Sequence, residues 1–264
     1  MMALTIEQKE AVRKLLRNTI GNKLKKYKRE SSYMPFLSKL MQDDEKVASY
    51  SFIHSISTSL GMSIYEEVSK IIAKPHCQEA ERNIKVGGTL SSVQKEVISK
   101  IVNELREGSR KVDTKKEMKE VLAADSSKGK SQKDNNVTDF YMKKANEEYY
   151  FEIKTVKPNI DVFTKSKVKL LEWIARKQKP IHAILAFPYN PYHPEPYSRF
   201  TEQGVVEHGV EFLIAEEYWD FLGEKGVYIE ILDIFDEIGR EFKEEIQKKI
   251  KDVAKEKIKN NKLS

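Results

Sequence analysis

The chain has 264 residues, enough to bury a substantial core in one large domain or two modest ones. Lysine and arginine number 47 against 41 acidic residues, and the resulting charge of +6 is compatible with an anionic partner without requiring one. A single cysteine, Cys77, excludes an intrachain disulfide framework and a cysteine-rich zinc site. No apolar run is long enough to span a bilayer and no signal-peptide pattern opens the sequence, so a cytoplasmic location is expected.

The first 50 residues are predicted to form a helical region. Thr5 and Gln8 have the spacing of a capping box, which predicts a helix running from Thr5 toward Leu16. The basic cluster at 22–28 either contacts phosphates or forms a solvated helix face, and a further helical segment is predicted from Tyr33.

Residues 51–73 are predicted to form the most apolar of the early helices. At 100° per residue Glu67 falls at the edge of its apolar stripe, whereas Glu66 points away. Both could equally be surface glutamates of an amphipathic helix. The buried stripe comprises Ile64, Val68, Ile71 and Ile72.

A turn at Gly87-Gly88 and a helix at 90–105 are predicted next. His76 and Cys77 have no second pair at ligand spacing, so no zinc site is expected there. A polar loop follows at 125–136. Its lysines, which either contact phosphates or are simply exposed, are Lys128, Lys130 and Lys133.

Two strand-like runs between 137 and 158 carry polar residues where buried strands should have none. Alternation along the second run places Glu152 and Lys154 on one face. Asp139 lies in the first run, and the polar link at 143–148 has the length of a hairpin connection. We expect the hairpin to bring Asp139 beside Glu152 and Lys154.

Paired carboxylates with a neighbouring ammonium suit metal-assisted phosphodiester hydrolysis. Carboxylate oxygens are ligands for Mg²⁺, and an ammonium can orient a water and stabilise charge on a phosphate. Without a cation, two carboxylates this close would repel and one would stay protonated. The alternative is that Asp139, Glu152 and Lys154 form the solvent face of an ordinary antiparallel hairpin.

Asp139 followed by Glu152-Ile153-Lys154 resembles the signature of the PD-(D/E)xK nuclease superfamily, with Thr138 in place of the usual proline. The surrounding FEIKTVKPN run resembles type II restriction endonucleases, particularly the TdeIII and MjaII group. The resemblance implies an α/β fold with a restriction-endonuclease-like mixed central sheet flanked by helices. It also implies Mg²⁺ dependence, DNA cleavage that leaves 5′-phosphates, and a GGNCC-like target.

This resemblance assigns roles to the site residues. Asp139 and Glu152 would bind Mg²⁺ with help from the Ile153 backbone carbonyl, and Lys154 would position the attacking water. A glutamate on a helix before the sheet often reaches the metal in such nucleases, which favours Glu67 and keeps Glu66 in reserve.

The segment after the hairpin is predicted to be a helix at 163–177 and a buried strand at 181–187, which would complete a right-handed βαβ unit. The helix should bury Val168, Leu171 and Ile174. Its opposite face should present the basic residues Lys165, Lys167, Lys169, Arg176 and Lys177 to phosphates.

A proline-rich loop at 188–200 either reads base edges or is a rigid surface loop packed by its own tyrosines. The full set of expected DNA contacts is Lys128, Lys130, Lys133, Lys157, Asn159, Lys165, Lys167, Tyr189, Asn190, Arg199 and Gln203.

The final segments are predicted to be a strand at 210–215, a helix at 216–222 and a long helix at 227–259 that breaks near Gly239. The expected organisation is a helical region at 1–50, a nuclease core at 51–235 and a C-terminal helix at 236–264, packed together as one compact domain.

The favoured function is a type II restriction endonuclease that acts on double-stranded DNA as a homodimer, because a two-fold target is most simply matched by a two-fold dimer. A structure-specific repair or junction-resolving nuclease is the alternative within the same chemistry. A non-catalytic basic DNA-binding protein is the alternative from another class. No G-x-S-x-G elbow occurs, which disfavours a serine hydrolase.

Overall fold

A computed structural model describes residues 3–28, 35–154, 157, 159–198 and 204–255. Within these residues the chain divides into two units. One is built from Tyr65–Tyr228 together with Ala3 and Leu4, and the other from Thr5–Ile64 and the segment that starts at Ile229. The divisions therefore lie near residues 64 and 228, not near the 50 and 235 suggested by the sequence.

The first unit contains a five-stranded mixed sheet in the order β1-β2-β3-β4-β5. Strand β2 is antiparallel to both β1 and β3, whereas β4 is parallel to β3 and β5 is parallel to β4. This arrangement confirms the expected mixed sheet flanked by helices. The strands are β1 (Glu79–Lys85), β2 (Val137–Lys144), β3 (Glu147–Ile153), β4 (His182–Phe187) and β5 (Phe212–Ile214).

Helices cover both faces of this sheet. Tyr150 and Phe151 are neighbours on β3 and so point to opposite faces. Tyr150 packs against Trp173, whereas Phe151 packs against Tyr218, which places different helices on the two sides. Helices α5 (Ser92–Arg106), α6 (Thr114–Ala123) and α7 (Ile160–Lys177) lie on the Tyr150 side, and α4 (Tyr65–Ala73) and α8 (Glu216–Leu222) lie on the Phe151 side.

The predicted hairpin is present, but its connection is shorter than the polar link at 143–148 suggested. Both strands extend into that link and leave only Ala145 and Asn146 between them. Their φ angles are 52° and 65°. Positive φ at both central residues is the geometry of a type I′ turn, whose twist matches that of the flanking strands.

Strand β1 was not predicted from the sequence. Its residues are mostly charged, and only Ala80 is buried. Charged residues on an edge strand keep its unpaired backbone from adding another strand. Because such a strand carries little apolar alternation, its sequence gives almost no signal.

Helix α7 begins earlier than its apolar pattern predicted. The Asn159 side chain accepts a hydrogen bond from the Val162 N–H at 3.0 Å, so the helix starts at Ile160 rather than at Phe163. The helix is buried on most of its surface between Leu170 and Arg176.

The second unit is helical, with α1 (Ile6–Lys26), α2 (Pro35–Met41), α3 (Asp44–Ser59) and most of α9 (Val227–Lys255). The predicted capping box is confirmed, since the side chains of Thr5 and Gln8 each bond to the other residue's backbone N–H. The single helix predicted at 51–73 is instead α3, a π-helical turn at Leu60–Ile64, and α4.

Helix α9 continues through Gly239 without the predicted break, and the expected extension to 259 lies outside the described residues. Tyr27, Phe52 and Val253 form a small core in this unit. Among the helices that can be described, none combines the length and apolar character needed to cross a membrane.

Candidate active site

The candidate site lies where β2 and β3 separate. The paired register of the two strands ends at Phe140 and Phe151. Beyond that point side chains replace the backbone ladder: the Thr138 hydroxyl accepts from the Phe151 N–H at 3.0 Å, and the Asp139 carboxylate accepts from the Ile153 N–H at 2.7 Å. The Asp139 carboxylate is therefore fixed against the backbone of the residue that follows Glu152.

Glu152 is held by ammonium groups from two different elements. Its side chain is only 3% exposed. One carboxylate oxygen pairs with Lys154, at the end of the same strand, and the other pairs with Lys169 on α7. The structure thus brings Asp139, Glu152 and Lys154 together and adds a second lysine to them.

The Asp139 carboxyl group has a raised pKa in this environment. Burial is the main cause that raises the pKa of Asp139 to about 6, and the charge of Glu152 raises it further. The Ile153 N–H and the ammonium groups of Lys169 and Lys154 act in the opposite direction without cancelling these effects. Near neutral pH the carboxyl group is mostly ionised, and a bound cation would stabilise that charge.

Lys154 keeps its charge in this environment. Burial lowers the pKa of its ammonium group, but the charge and hydrogen bond of Glu152 and the charge of Asp139 outweigh that effect, so the pKa is raised overall. The side chain is 38% exposed, which leaves it accessible to a bound substrate.

Lys169 was assigned by its sequence pattern to an exposed face that contacts phosphates, and its place beside Glu152 was missed. A signal for it exists in the spacing of two elements. Lys169, Trp173 and Lys177 recur every four residues along α7, about 6 Å apart. On β3 they meet Glu152, Tyr150 and Glu148, respectively. These strand residues recur at every second position, about 6.7 Å apart, so the two rows of side chains have nearly the same spacing.

Neither Glu66 nor Glu67 is placed at this site. Both carboxylates accept hydrogen bonds from Arg82, Glu66 at 2.7 and 3.0 Å and Glu67 at 2.8 Å. Arg82 is paired with Phe140, so it points to the face opposite Asp139. The burial expected from the helical wheel is also reversed, since Glu66 is buried and Glu67 is partly exposed.

Lys167 was predicted to contact DNA, and this is wrong. Its side chain is 0% exposed and pairs with Glu117 on α6 and Glu211 before β5. The error has a visible cause, because Lys167 is four residues from both Phe163 and Leu171 and so falls in the middle of the buried stripe.

Arg176 was likewise placed on the exposed face of α7, whereas its side chain is buried. It donates hydrogen bonds to the backbone carbonyls of Gln132 and Asp134 at 3.3 and 2.8 Å. Trp173 donates to the carbonyl of Asn135 at 2.8 Å. Buried side chains of α7 therefore hold the end of the 125–136 loop just before β2.

The lysines of that loop, Lys128, Lys130 and Lys133, are exposed. The loop itself is anchored rather than free, because the backbones of Lys130 and Leu90 exchange hydrogen bonds at 3.1 Å. Lys157 and Lys165 are also exposed. Asn159 is exposed but uses its side chain as the cap of α7.

The proline-rich loop after β4 is packed by its own aromatic residues. Tyr197 is buried against Phe187 and Tyr192, and the Lys157 ammonium lies 4.8 Å from the centre of the Tyr192 ring. The Asn190 side chain bonds to the backbones of Tyr192 and Glu195, within the loop. Tyr189 is at the surface. Arg199 and Gln203 lie outside the described residues.

The donor set at the site fits a hard divalent cation. Among the described residues no group of three or more His, Cys, Asp or Glu side chains converges on a common point. Mg²⁺ does not require one, because it keeps several waters and is commonly held by one or two carboxylates. Asp139, Glu152 and the Ile153 carbonyl would supply such a partial shell.

Residues 4–239 match the family model described as "Type II restriction endonuclease, HinfI". The chain belongs to the HinfI family of type II restriction endonucleases. The match spans both units, and it confirms the expected restriction-endonuclease-like fold and enzyme class.

Individual relatives carry the same assignment. The chain is 31% identical to the type II restriction enzyme HgiCII of Herpetosiphon aurantiacus over 208 residues, 75% of each protein. It is 30% identical to MjaII of Methanocaldococcus jannaschii over 211 residues, which are 73% of this chain and 56% of that enzyme. HgiEI of Herpetosiphon aurantiacus is 27% identical over 245 residues, 86% of this chain and 88% of the relative. No solved structure matches the chain.

Proposed function

We propose that this HinfI-family chain is a Mg²⁺-dependent PD-(D/E)xK endonuclease that cuts both strands of DNA at a short specific sequence and leaves 5′-phosphates. One observation carries the proposal: Asp139, Glu152 and Lys154 meet where β2 and β3 separate. The raised pKa of Asp139 supports a cation-binding role, because an added cation would offset both the burial of the carboxylate and the repulsion from Glu152.

Asp139, Glu152 and the Ile153 carbonyl would hold the metal ion. When bound, Mg²⁺ makes a coordinated water more acidic and offsets negative charge on the reacting phosphate. The hydrogen bond from the Ile153 N–H keeps the Asp139 carboxylate oriented on the same strand end as Glu152.

Lys154 is proposed to orient the attacking water and to stabilise charge that develops on the phosphate. Its ammonium is the exposed end of the Glu152 pair, and its raised pKa keeps it charged at neutral pH. A fixed cation aimed at developing charge costs little reorganisation during the reaction.

DNA binding is assigned to the exposed residues around this strand end. Lys165 precedes Lys169 by one helical turn, and Lys157 follows Lys154 closely in the chain. These contacts are not sequence-specific, so affinity should fall as salt rises. The remaining proposed contacts are Lys128, Lys130 and Lys133 to the backbone, and Tyr189, Arg199 and Gln203 to base edges.

The resemblance to the TdeIII and MjaII group supports a GGNCC-like target. A two-fold target is matched by two copies of the chain, so the active form is proposed to be a homodimer. Acting on DNA that enters the cell, it would work in the cytoplasm.

Cleavage of defined plasmid DNA with Mg²⁺, followed by sequencing of the ends, tests the proposal. We expect discrete fragments with 5′-phosphates from the parent protein. Asp139→Asn and Glu152→Gln should each lose at least about 100-fold in rate, because each removes a metal-binding carboxylate. Glu148→Gln is the matched control: it lies on the same strand and face but pairs with Lys177 and Lys179.

Retention of parental cleavage by Asp139→Asn and Glu152→Gln would overturn the assignment of the site. Ends without a common sequence would favour the structure-specific nuclease. DNA binding without any Mg²⁺-dependent product, from the parent as well as the variants, would favour the non-catalytic protein.

A further inference from the structure

The position of Lys169 beside Glu152 is set by the packing of α7 on β3. Lys177 lies 3.6 Å from Glu148 and 5.6 Å from the centre of the Tyr150 ring. One turn earlier, the buried Trp173 ring lies 6.2 Å from that of Tyr150. Lys169 lies one turn before Trp173 in the helix, opposite Glu152. Because Trp173 is buried and fixed by its bond to the Asn135 carbonyl, the helix cannot slide to remove this pairing cheaply.

The two oxygens of Glu152 are taken by different ammonium groups, Lys154 on one and Lys169 on the other. A metal ion that approaches either oxygen of this carboxylate therefore meets an ammonium group that is already bound there. Lys154 is 38% exposed and reaches toward solvent, whereas Lys169 is 17% exposed. The Lys169 ammonium also lies 5.3 Å from the centre of the Trp173 ring, a second favourable contact.

We propose that Lys169 is a positioning residue of the nuclease site: it holds the Glu152 carboxylate in place in the metal-free enzyme and competes with the divalent ion for it. This inference rests on the proposed function, because it takes Glu152 as a metal ligand. The carboxylate is buried and would otherwise be left with one partner, so the lysine holds it oriented. Its release accompanies metal binding and frees an ammonium beside the reacting phosphate.

The competition predicts that removing the ammonium strengthens metal binding to the free protein. Mn²⁺ titration followed by electron paramagnetic resonance measures this without DNA and without turnover. Lys169→Met should bind Mn²⁺ about tenfold more tightly than the parent, since it removes the positive charge that pairs with the Glu152 carboxylate. Lys169→Arg keeps the charge and the donor and should retain the parental affinity.

The matched control is Lys165→Met, which removes the same charge from an exposed position one turn away on the same helix. It should change Mn²⁺ affinity less than twofold, because solvent screens its charge. Cleavage gives a second readout. At saturating Mg²⁺ the Lys169→Met protein should cleave DNA more slowly than the parent despite its tighter metal binding, with the loss in kcat rather than in KM. Circular dichroism and the thermal midpoint show whether each variant is folded. If Lys169→Met is not folded, Lys169→Gln replaces it.

The outcomes separate this inference from the proposed function. If the parent binds Mn²⁺ and Glu152→Gln does not, but Lys169→Met binds no more tightly than the parent, the competition is refuted and the nuclease site stands. If Mn²⁺ binding is the same in the parent, Asp139→Asn and Glu152→Gln, the proposed metal site itself is wrong. A Lys169→Arg protein that behaves like Lys169→Met would also refute the inference.

Discussion

A hydrogen bond from the Ile153 N–H holds the Asp139 carboxylate in place, but its ionised form is disfavoured in the folded protein. The Ile153 N–H and the nearby lysines favour the carboxylate, but burial and the charge of Glu152 prevail and raise its pKa from 3.8 to about 6. A residue that costs stability in the free protein is typical of a functional site, where ligand binding recovers the cost.

This pKa predicts how Asp139→Asn changes stability. The unfolded chain releases the Asp139 proton at a lower pH than the folded chain, so the parent loses stability as pH rises from about 4 to about 6. Without divalent metal, Asp139→Asn should therefore be more stable at pH 7.5 by about 1–3 kcal/mol, because asparagine still accepts from the Ile153 N–H.

Urea unfolding with a chelator present, at pH 4 and pH 7.5, measures the difference. Most of the gain should be lost at pH 4, where the carboxyl group is protonated in the folded state and about half protonated in the unfolded state. An equal gain at both pH values would mean that the charge of Asp139 is not the cause.

Single residues were predictable where the pattern was local. The alternation of β3 correctly places Glu152 and Lys154 on one face, because side-chain direction in a strand depends only on parity. The positions of Lys167 and Lys169 were not predictable in the same way. Both depend on which face α7 turns toward the sheet, and their charge argued for the surface.

At the level of elements, the buried cluster of Lys167, Glu117 and Glu211 joins three segments. Lys167 comes from α7, Glu117 from α6, and Glu211 from the segment that leads into β5. Burial raises the pKa of Glu211, and the charge of Lys167 opposes that effect. The cluster fixes α6 and the β5 segment to α7, the helix that also carries Lys169.

Lys167→Met should therefore be strongly destabilising, by about 3–5 kcal/mol, because it leaves two buried carboxylates without their cation. Chemical unfolding measures the change, and the exposed Lys165→Met on the same helix is the control, with an expected change within about 0.5 kcal/mol. Adding Glu211→Gln to Lys167→Met should recover part of the loss. A Lys167→Met protein as stable as the Lys165→Met control would show that the buried charges contribute little.

Elements with strong local signals were predicted well, and those without were not. The Thr5 and Gln8 capping box fixed the start of α1, and the apolar run of β4 was recognised. Strand β1 was not predicted because its exposed edge residues are charged. The π-helical turn at Leu60–Ile64 was not predicted either, since a single turn of altered winding hardly changes the periodicity of apolar residues.

At the scale of the whole molecule, the division into units depends on contacts between distant parts of the sequence. In the helical unit Arg13 pairs with Glu237 and Arg17 with Glu241, which joins α1 to α9 across 224 positions. No local pattern specifies which of several amphipathic helices pair. The boundaries at 50 and 235 were drawn along the chain, whereas the observed unit joins its two ends.

The strand order of the sheet also depends on contacts between distant parts of the sequence. The hairpin of β2 and β3 is local, but the addition of β4 parallel to β3 requires the α7 crossover between them. That crossover places Lys169 opposite Glu152, so the site combines a local strand motif with one long-range contact.

The central claim is that Asp139 and Glu152 together hold a divalent ion, and the anomalous scattering of Mn²⁺ in crystals of the protein tests it most directly. We predict a strong anomalous peak at about 2 Å from one oxygen of each carboxylate, close to the Ile153 carbonyl. A peak at Glu66 and Glu67 instead, or no peak within bonding distance of Asp139 and Glu152 at saturating Mn²⁺, would contradict the claim.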